Sequence, residues 1–259
     1  MKIVVLIKEV PDTWGERRLD PSTKRVDRAG SEAVLDEIGE RAVEAALHYK
    51  DGIPDTEVVV ISMGPTSTKI LRRALAMGAT SAVHVLDDRL VGSDLGWTAA
   101  VLAAAVWRTG YDLLILGGES TDGRGGVIPA MVAEHLGVPH LTAISELTLS
   151  ADRVSGNRTT DEETLAVAAD YPAVVSITER MPEARFPSFK GTMGAKKKPL
   201  DVVSLADLGV ELTEKLERFA RSVVVEVTER PPRTAGQKVV DDGGAAEQLA
   251  EFLASKQLI

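Results

Sequence analysis

Five of the ten residues from Gly117 to Gly126 are glycine. The run is Gly117-Gly118-Glu119-Ser120-Thr121-Asp122-Gly123-Arg124-Gly125-Gly126, and it links the apolar tetrad Leu113-Leu114-Ile115-Leu116 to a helical pattern starting near Val127 and Ile128. Glycine lets a backbone approach a ligand closely and take positive φ. Free amides at the start of the following helix favour an anion such as phosphate. Ser120 and Thr121 add hydroxyls, and Arg124 adds a cation. The run is neither the G-x-x-x-x-G-K-[ST] phosphate loop nor a G-x-G-x-x-G dinucleotide fingerprint. Two readings fit it, a nucleotide cradle and a flexible turn, and its place after a buried strand favours the cradle.

A second segment, Arg185-Phe186-Pro187-Ser188-Phe189-Lys190-Gly191-Thr192-Met193, leads into Gly194-Ala195-Lys196-Lys197-Lys198-Pro199. Aromatic anchors with a cationic rim suit partner docking. The alternative packs both rings under their own loop and leaves the lysines solvated. The histidines, His48, His84, His135 and His140, are scattered, and a packing or surface role suits them better than metal binding. There is no G-x-S-x-G nucleophile elbow. Asp161-Glu162-Glu163 reads as a solvated turn, because catalytic carboxylates need a pocket that separates their pKa values.

The elements that position these residues follow from periodicity. Ile3 to Ile7 reads as a strand buried on both faces. Residues 11–30 read as a loop or small hairpin. Ser31 offers an N-cap for a helix to about Tyr49, with Val34, Leu35, Ile38, Ala42, Val43, Ala46 and Leu47 at helical spacing. Val58 to Ile61, Ala82 to Leu86 and Leu113 to Leu116 are further strands. Helices between them carry the stripe Ile70, Leu71, Ala74, Leu75 and the span 94–109, and a helix over 127–136 closes the series. Four alternations of strand and helix imply βαβ units, a parallel sheet and an α/β class. Ligands of such sheets sit beyond the carboxyl ends of the strands, here at residues 8–15, 62–66, 86–93 and 117–126. Beyond Pro139 the alternating pattern predicts antiparallel strands over 141–150 and 153–169, then a buried strand over 173–177. Residues 181–200 hold three prolines and read as a surface loop. The expected organisation is a nucleotide-binding α/β domain over 1–228 and a C-terminal arm with a short helix over 229–259.

Composition narrows the function. The chain has 259 residues and a net charge of -9, with 4% aromatics. Such acidity argues against phosphate-backbone binding, and so few aromatics argue against base stacking. Cysteine is absent, which excludes disulfides, thiolate nucleophiles and Cys-ligated metal sites. No stretch reaches the roughly 18 apolar residues of a membrane span, and the N-terminal run lacks the features of a signal peptide. The expectation is a cytoplasmic protein that binds no nucleic acid and does not insert into a membrane.

Taken in order, several segments resemble the beta subunit of electron transfer flavoproteins. They are Val4 to Asp12, Ala74 to Ala79, Pro172 to Ser176, Arg185 to Pro199 and Arg233 to Gly236. The resemblance runs nearly end to end. It implies an adenine nucleotide alpha hydrolase-like domain, an alpha subunit that holds the FAD, and a C-terminal arm packing on alpha. It implies AMP as a structural ligand, held by Leu6, Asp36, Glu37, Ile38, Gly39, Met63 and the stretch Gly117, Gly118, Glu119, Ser120, Thr121, Asp122, Gly123, Arg124, Gly125, Gly126, Val127 and Ile128. It implies a recognition loop over 182–193, with Arg185, Phe186, Phe189, Lys190 and Met193 meeting acyl-CoA dehydrogenases and Phe189 as the anchor. Electrons would leave through a quinone oxidoreductase, with no catalytic residue in this chain. The alternative is a beta subunit of an electron-bifurcating flavoprotein, with a second FAD in place of AMP. Asp36 stands where the family usually has Asn, and Glu119 where it has Gln. A carboxylate repels phosphate, so the targets compatible with Asp36 are the ribose and the base.

Overall fold

The computed structural model describes residues 1–210, 222–232, 235–236 and 238–259. Arg233 and Thr234 lie outside the described residues. Two compact units are present, Met1–Glu226 and Val227–Ile259.

The first unit begins with β1 (Lys2–Leu6), then β2 (Glu9–Pro11), the two-residue strands β3 (Leu19–Asp20) and β4 (Arg25–Val26), and β5 (Ala33–Leu35). The alternating part follows as α1 (Glu37–Gly52), β6 (Glu57–Met63), α2 (Thr68–Met77), β7 (Ser81–Val85), α3 (Leu95–Thr109), β8 (Leu113–Gly117) and α4 (Ile128–Leu136). The antiparallel part is β9 (His140–Leu149), β10 (Arg153–Thr159) and β11 (Thr164–Asp170). The chain then returns through β12 (Ala173–Ile177), α5 (Phe189–Ala195) and β13 (Leu200–Val203). In the second unit α6 (Ala245–Ser255) is an exposed helix with no buried residue.

One nine-stranded sheet runs in the order β11-β10-β9-β12-β8-β1-β6-β7-β13. Pairing is parallel from β9 through β12 to β13 and antiparallel from β9 to β11. The central strands are largely apolar because both faces are covered, with Ser62, His84 and Ser176 as buried polar exceptions. Ile3 and Val5 face a core with Leu47 of α1 and Leu71 and Leu75 of α2. Val4 and Leu6 face the other, with Val101 and Val106 of α3 and Val132 of α4. This period-two division of one apolar run is the mark of a doubly covered strand.

Two expectations need correction. The helix predicted from Ser31 starts at Glu37, and Asp36 caps it by accepting a hydrogen bond from the Ile38 amide at 3.1 Å. Val34 and Leu35 are instead in β5, which pairs antiparallel with β2, Val10 opposite Val34. Their helical spacing with Ile38 was overridden by that tertiary pairing. The loop predicted over 181–200 contains α5 and ends at β13. Gly191 and Gly194 lower the helix propensity of α5, but Ser188 caps it, its hydroxyl accepting from the Gly191 amide at 3.0 Å. No described helix is long and apolar enough to cross a membrane.

Candidate functional site

The chain order reverses beside β1. From β1 it proceeds outward through β6 and β7, then returns to the other side of β1 with β8. Loops leaving β1 and β8 therefore diverge and open a crevice, as parallel sheets do at such a switch point. A cleft of about 710 Å³ lies there. Its walls come from the ends of four strands: Leu6 to Lys8, Met63 to Pro65, Leu86 to Asp88, and Leu116 to Ser120. These match the four loops expected from the strand pattern.

Of the residues assigned to the nucleotide, Leu6, Asp36, Gly39, Met63, Gly117, Gly118, Glu119, Ser120, Gly123, Gly125, Gly126 and Ile128 line this cleft. Glu37, Ile38, Thr121, Asp122, Arg124 and Val127 do not. Glu37 is exposed and accepts from the Thr13 hydroxyl at 3.0 Å. Ile38 is buried beneath the glycine loop, and a Cβ on Gly117 would come within 3.0 Å of its Cγ2. That crowding explains a glycine at 117. Arg124 takes a left-handed φ of 46°, and its amide donates to Ser120 O at 2.9 Å. Val127 offers no side-chain cap to α4, and Pro129 in its first turn has no N–H, so the Ile128 and Ala130 amides are the first-turn donors left for another acceptor.

The rest of the loop is clamped from outside itself. Asp36, 2% exposed, accepts from the Thr121 amide at 2.7 Å and the Thr121 hydroxyl at 2.8 Å. Its carboxylate is thus committed to α1 and to the loop. Asp122 accepts from Lys8 Nζ at 2.7 Å and from Arg28 at 3.0 Å. Burial works to raise its pKa, but the Lys8 hydrogen bond and charge, the Ser120 hydroxyl and the Arg28 charge outweigh it and hold it at about 2. Lys8 also donates to Ser120 Oγ at 3.1 Å, and Arg17 donates to the Thr121 hydroxyl at 3.1 Å. Lys8, Arg17 and Arg28 were missed as site residues. Lys8 falls in the expected 8–15 loop and in the Val4 to Asp12 segment but was given no role of its own, and both arginines lie in a segment that reads as a plain loop. On the far wall, Asp87 is held well below the carboxylate range by its hydrogen bond to Arg89, and it accepts from the Leu205 amide at 3.2 Å.

The second candidate surface is built on α5. Phe186, Phe189 and Met193 are 88%, 85% and 62% exposed. The rings therefore do not pack under their own loop. Lys190, Lys196 and Lys197 are exposed beside them. Arg185 differs: its Nε donates to Glu44 at 2.7 Å and its Nη2 to Glu44 at 2.8 Å and Asp51 at 2.7 Å. Those hydrogen bonds raise its pKa, and the guanidinium braces the segment against α1. Lys198 also turns inward, donating to Leu75 O at 2.8 Å and Ala79 O at 2.7 Å at the end of α2. Burial lowers its pKa. Gly191 lies so close to α2 that a Cβ would meet Ala76 O at 2.2 Å.

His48 and His135 are surface residues of α1 and α4. No group of three or more potential metal ligands occurs among the described residues.

The Electron transfer flavoprotein domain family matches residues 23–208. The chain is 46% identical over 264 residues to the Electron transfer flavoprotein subunit beta of Mycobacterium tuberculosis (strain ATCC 25618 / H37Rv), covering 99% of each. It is 30% identical over 271 residues to the same subunit of Megasphaera elsdenii, covering 100% of each. It is also 30% identical over 258 residues to the Caffeyl-CoA reductase-Etf complex subunit CarD of Acetobacterium woodii, covering 99% of this chain and 97% of that one.

Proposed function

Because the chain belongs to the electron transfer flavoprotein family as a beta subunit, we propose that its cleft holds AMP and that its α5 face docks electron donors to an FAD held mainly by the alpha subunit. The observation that carries the AMP reading is the meeting of four strand-end loops at the switch point, with the first turn of α4 free of a side-chain cap. The phosphate fits against Gly125, Gly126 and Ile128, where amides and helix dipole favour an anion. Glu37, Ile38, Thr121 and Asp122 then act behind the wall, shaping it rather than touching the nucleotide. Asp36 holds Thr121 and needs no contact with phosphate, ribose or base.

Electron transfer is the chemistry of the flavin when it is bound; the protein supplies binding, orientation and electrostatics. This chain acts as a carrier subunit and contributes no catalytic acid or base. Phe189, with Phe186 and Met193, offers an apolar anchor, and Lys190 steers an acidic partner surface. Arg185 holds that surface in place. Acyl-CoA dehydrogenases of fatty acid oxidation are the donors in this reading. A quinone oxidoreductase passes the electrons to the respiratory chain, and the protein works in the cytoplasm.

The similarity to the caffeyl-CoA reductase complex subunit supports a second reading, in which a bifurcating complex carries a second FAD in this cleft. Asp36 does not discriminate, since its charge meets the loop's own donors. Glu119, exposed on the cleft wall, adds negative charge that opposes a diphosphate. The test is to purify the heterodimer, denature it and quantify released nucleotides. One FAD and one AMP per heterodimer supports the first reading. Two FAD and no AMP replaces it with the second.

A further inference from the structure

Three polar side chains lie buried behind the cleft, where the surrounding strands are apolar. They are Ser62 of β6, Ser67 before α2 and His84 of β7, none more than 1% exposed. Burying such groups is unfavourable unless each is hydrogen-bonded. The Ser62 hydroxyl donates to Ser67 Oγ at 3.0 Å. His84 reaches forward, its Nε2 2.6 Å from Gly64 O. A carbonyl oxygen only accepts, so Nε2 carries the hydrogen and donates. Nδ1 is 3.5 Å from the Thr68 hydroxyl, which is free to donate to it. The Gly64 amide in turn donates to Val85 O at 3.2 Å. Both backbone polar groups of Gly64 are thereby held by β7.

Gly64 stands between Met63 and Pro65, and all three line the cleft. We propose that His84 is a positioning residue of the nucleotide cleft. Its ring pins the Gly64 carbonyl from behind, so that the Met63 to Pro65 wall keeps its shape against a bound adenylate. Ala82, two residues back on the same face of β7, is buried in the apolar core, so the core itself does not demand a polar ring at 84. The imidazole is the group there that can span from β7 to the loop and donate. This proposal rests on the reading of the cleft as an adenylate site.

Two substitutions differ mainly in reach. In His84→Gln the terminal amide N–H takes the place of Nε2. In His84→Asn it stops near the place of Nδ1, short of the Gly64 carbonyl. The heterodimers are freed of nucleotide and titrated with AMP by calorimetry, and their unfolding temperatures are compared without nucleotide. The expected result is His84→Gln within about threefold of the unsubstituted protein and His84→Asn weaker by about tenfold, the loss of roughly one hydrogen bond. Without nucleotide, His84→Asn should unfold roughly 2–4 °C below His84→Gln, because the Gly64 carbonyl has lost its donor. Equal affinity for His84→Asn and the unsubstituted protein overturns the proposal, as does equal weakening of both variants. A His84→Asn chain that fails to assemble makes the ring a general structural residue and overturns it too. An unsubstituted heterodimer that binds no AMP instead removes the cleft reading, and the proposal with it.

Discussion

Asp36→Asn changes one atom of a buried side chain, and the hydrogen bonds around that atom set its cost. The carboxylate accepts three of them, from the Ile38 amide at 3.1 Å and from the Thr121 amide and hydroxyl at 2.7 and 2.8 Å. Each oxygen faces a backbone N–H. An asparagine must therefore turn its NH₂ toward one of those amides, whichever way it flips. The less costly orientation keeps the oxygen on Thr121 and leaves the Ile38 amide unpaired. That loses the cap of α1 and strands a buried donor, a cost of about 2 kcal/mol. Relief of the carboxylate's desolvation offsets part of this, and weakening of the remaining bond to Thr121 adds to it. In a unit of this size about 2 kcal/mol lowers the midpoint by roughly 4–8 °C. Thermal unfolding of the heterodimer, tracked by circular dichroism at pH 7, measures it. A variant that melts within about 1 °C of the unsubstituted protein refutes the reasoning, because the carboxylate would then not hold both the helix and the loop.

The same geometry sets three further outcomes. Asp122 has its pKa lowered from 3.8 to about 2. Its stabilisation is therefore full above pH 3.8 and lost as pH falls through about 2. Asp122→Asn should cost about 2 kcal/mol at pH 7, and denaturant titrations should show the gap closing between pH 4 and 2. Gly191→Ala drives a Cβ into Ala76 O, so α5 must lift from α2; limited proteolysis should cut 186–195 faster, and an unchanged cleavage rate counts against the close packing. Phe189→Ala should slow electron transfer from an acyl-CoA dehydrogenase with FAD content unchanged, and equal rates would remove Phe189 as an anchor.

Much of the scaffold was legible because a strand covered on both faces is apolar along most of its length. Ile3 to Ile7, Val58 to Ile61 and Leu113 to Leu116 announce themselves in this way, and the glycine run marks the switch-point loop. The features that were not legible depend on distant partners. Val34 and Leu35 obey helical spacing, yet β2 claims them for a strand. Leu200 to Val203 is too short to signal a strand until β7 lies alongside. Lys8 and Arg28 carry no local mark of their role, which exists only because Asp122 arrives between them. Arg185 looked like a docking cation, and Glu44 with Asp51 made it a brace. Sequence reports periodic burial well because it is a property of one element, and it reports pairing poorly because pairing belongs to two.

The clamps on the glycine loop carry a consequence for the order of assembly. Asp36 and Thr121 are 85 residues apart along the chain, Lys8 and Asp122 are 114, and Arg17 and Thr121 are 104. Closing loops of that length precedes any gain from the contacts they bring. The cleft therefore cannot take shape on a nascent β1–β7 segment; it waits for β8 to be synthesised and to insert beside β1. The part that forms last on such a path is also the part that opens first, by local excursions short of global unfolding. Amide exchange at Thr121 thus serves as a clock on the cleft, running faster than exchange at Val4 or Leu114 in the strands beneath it.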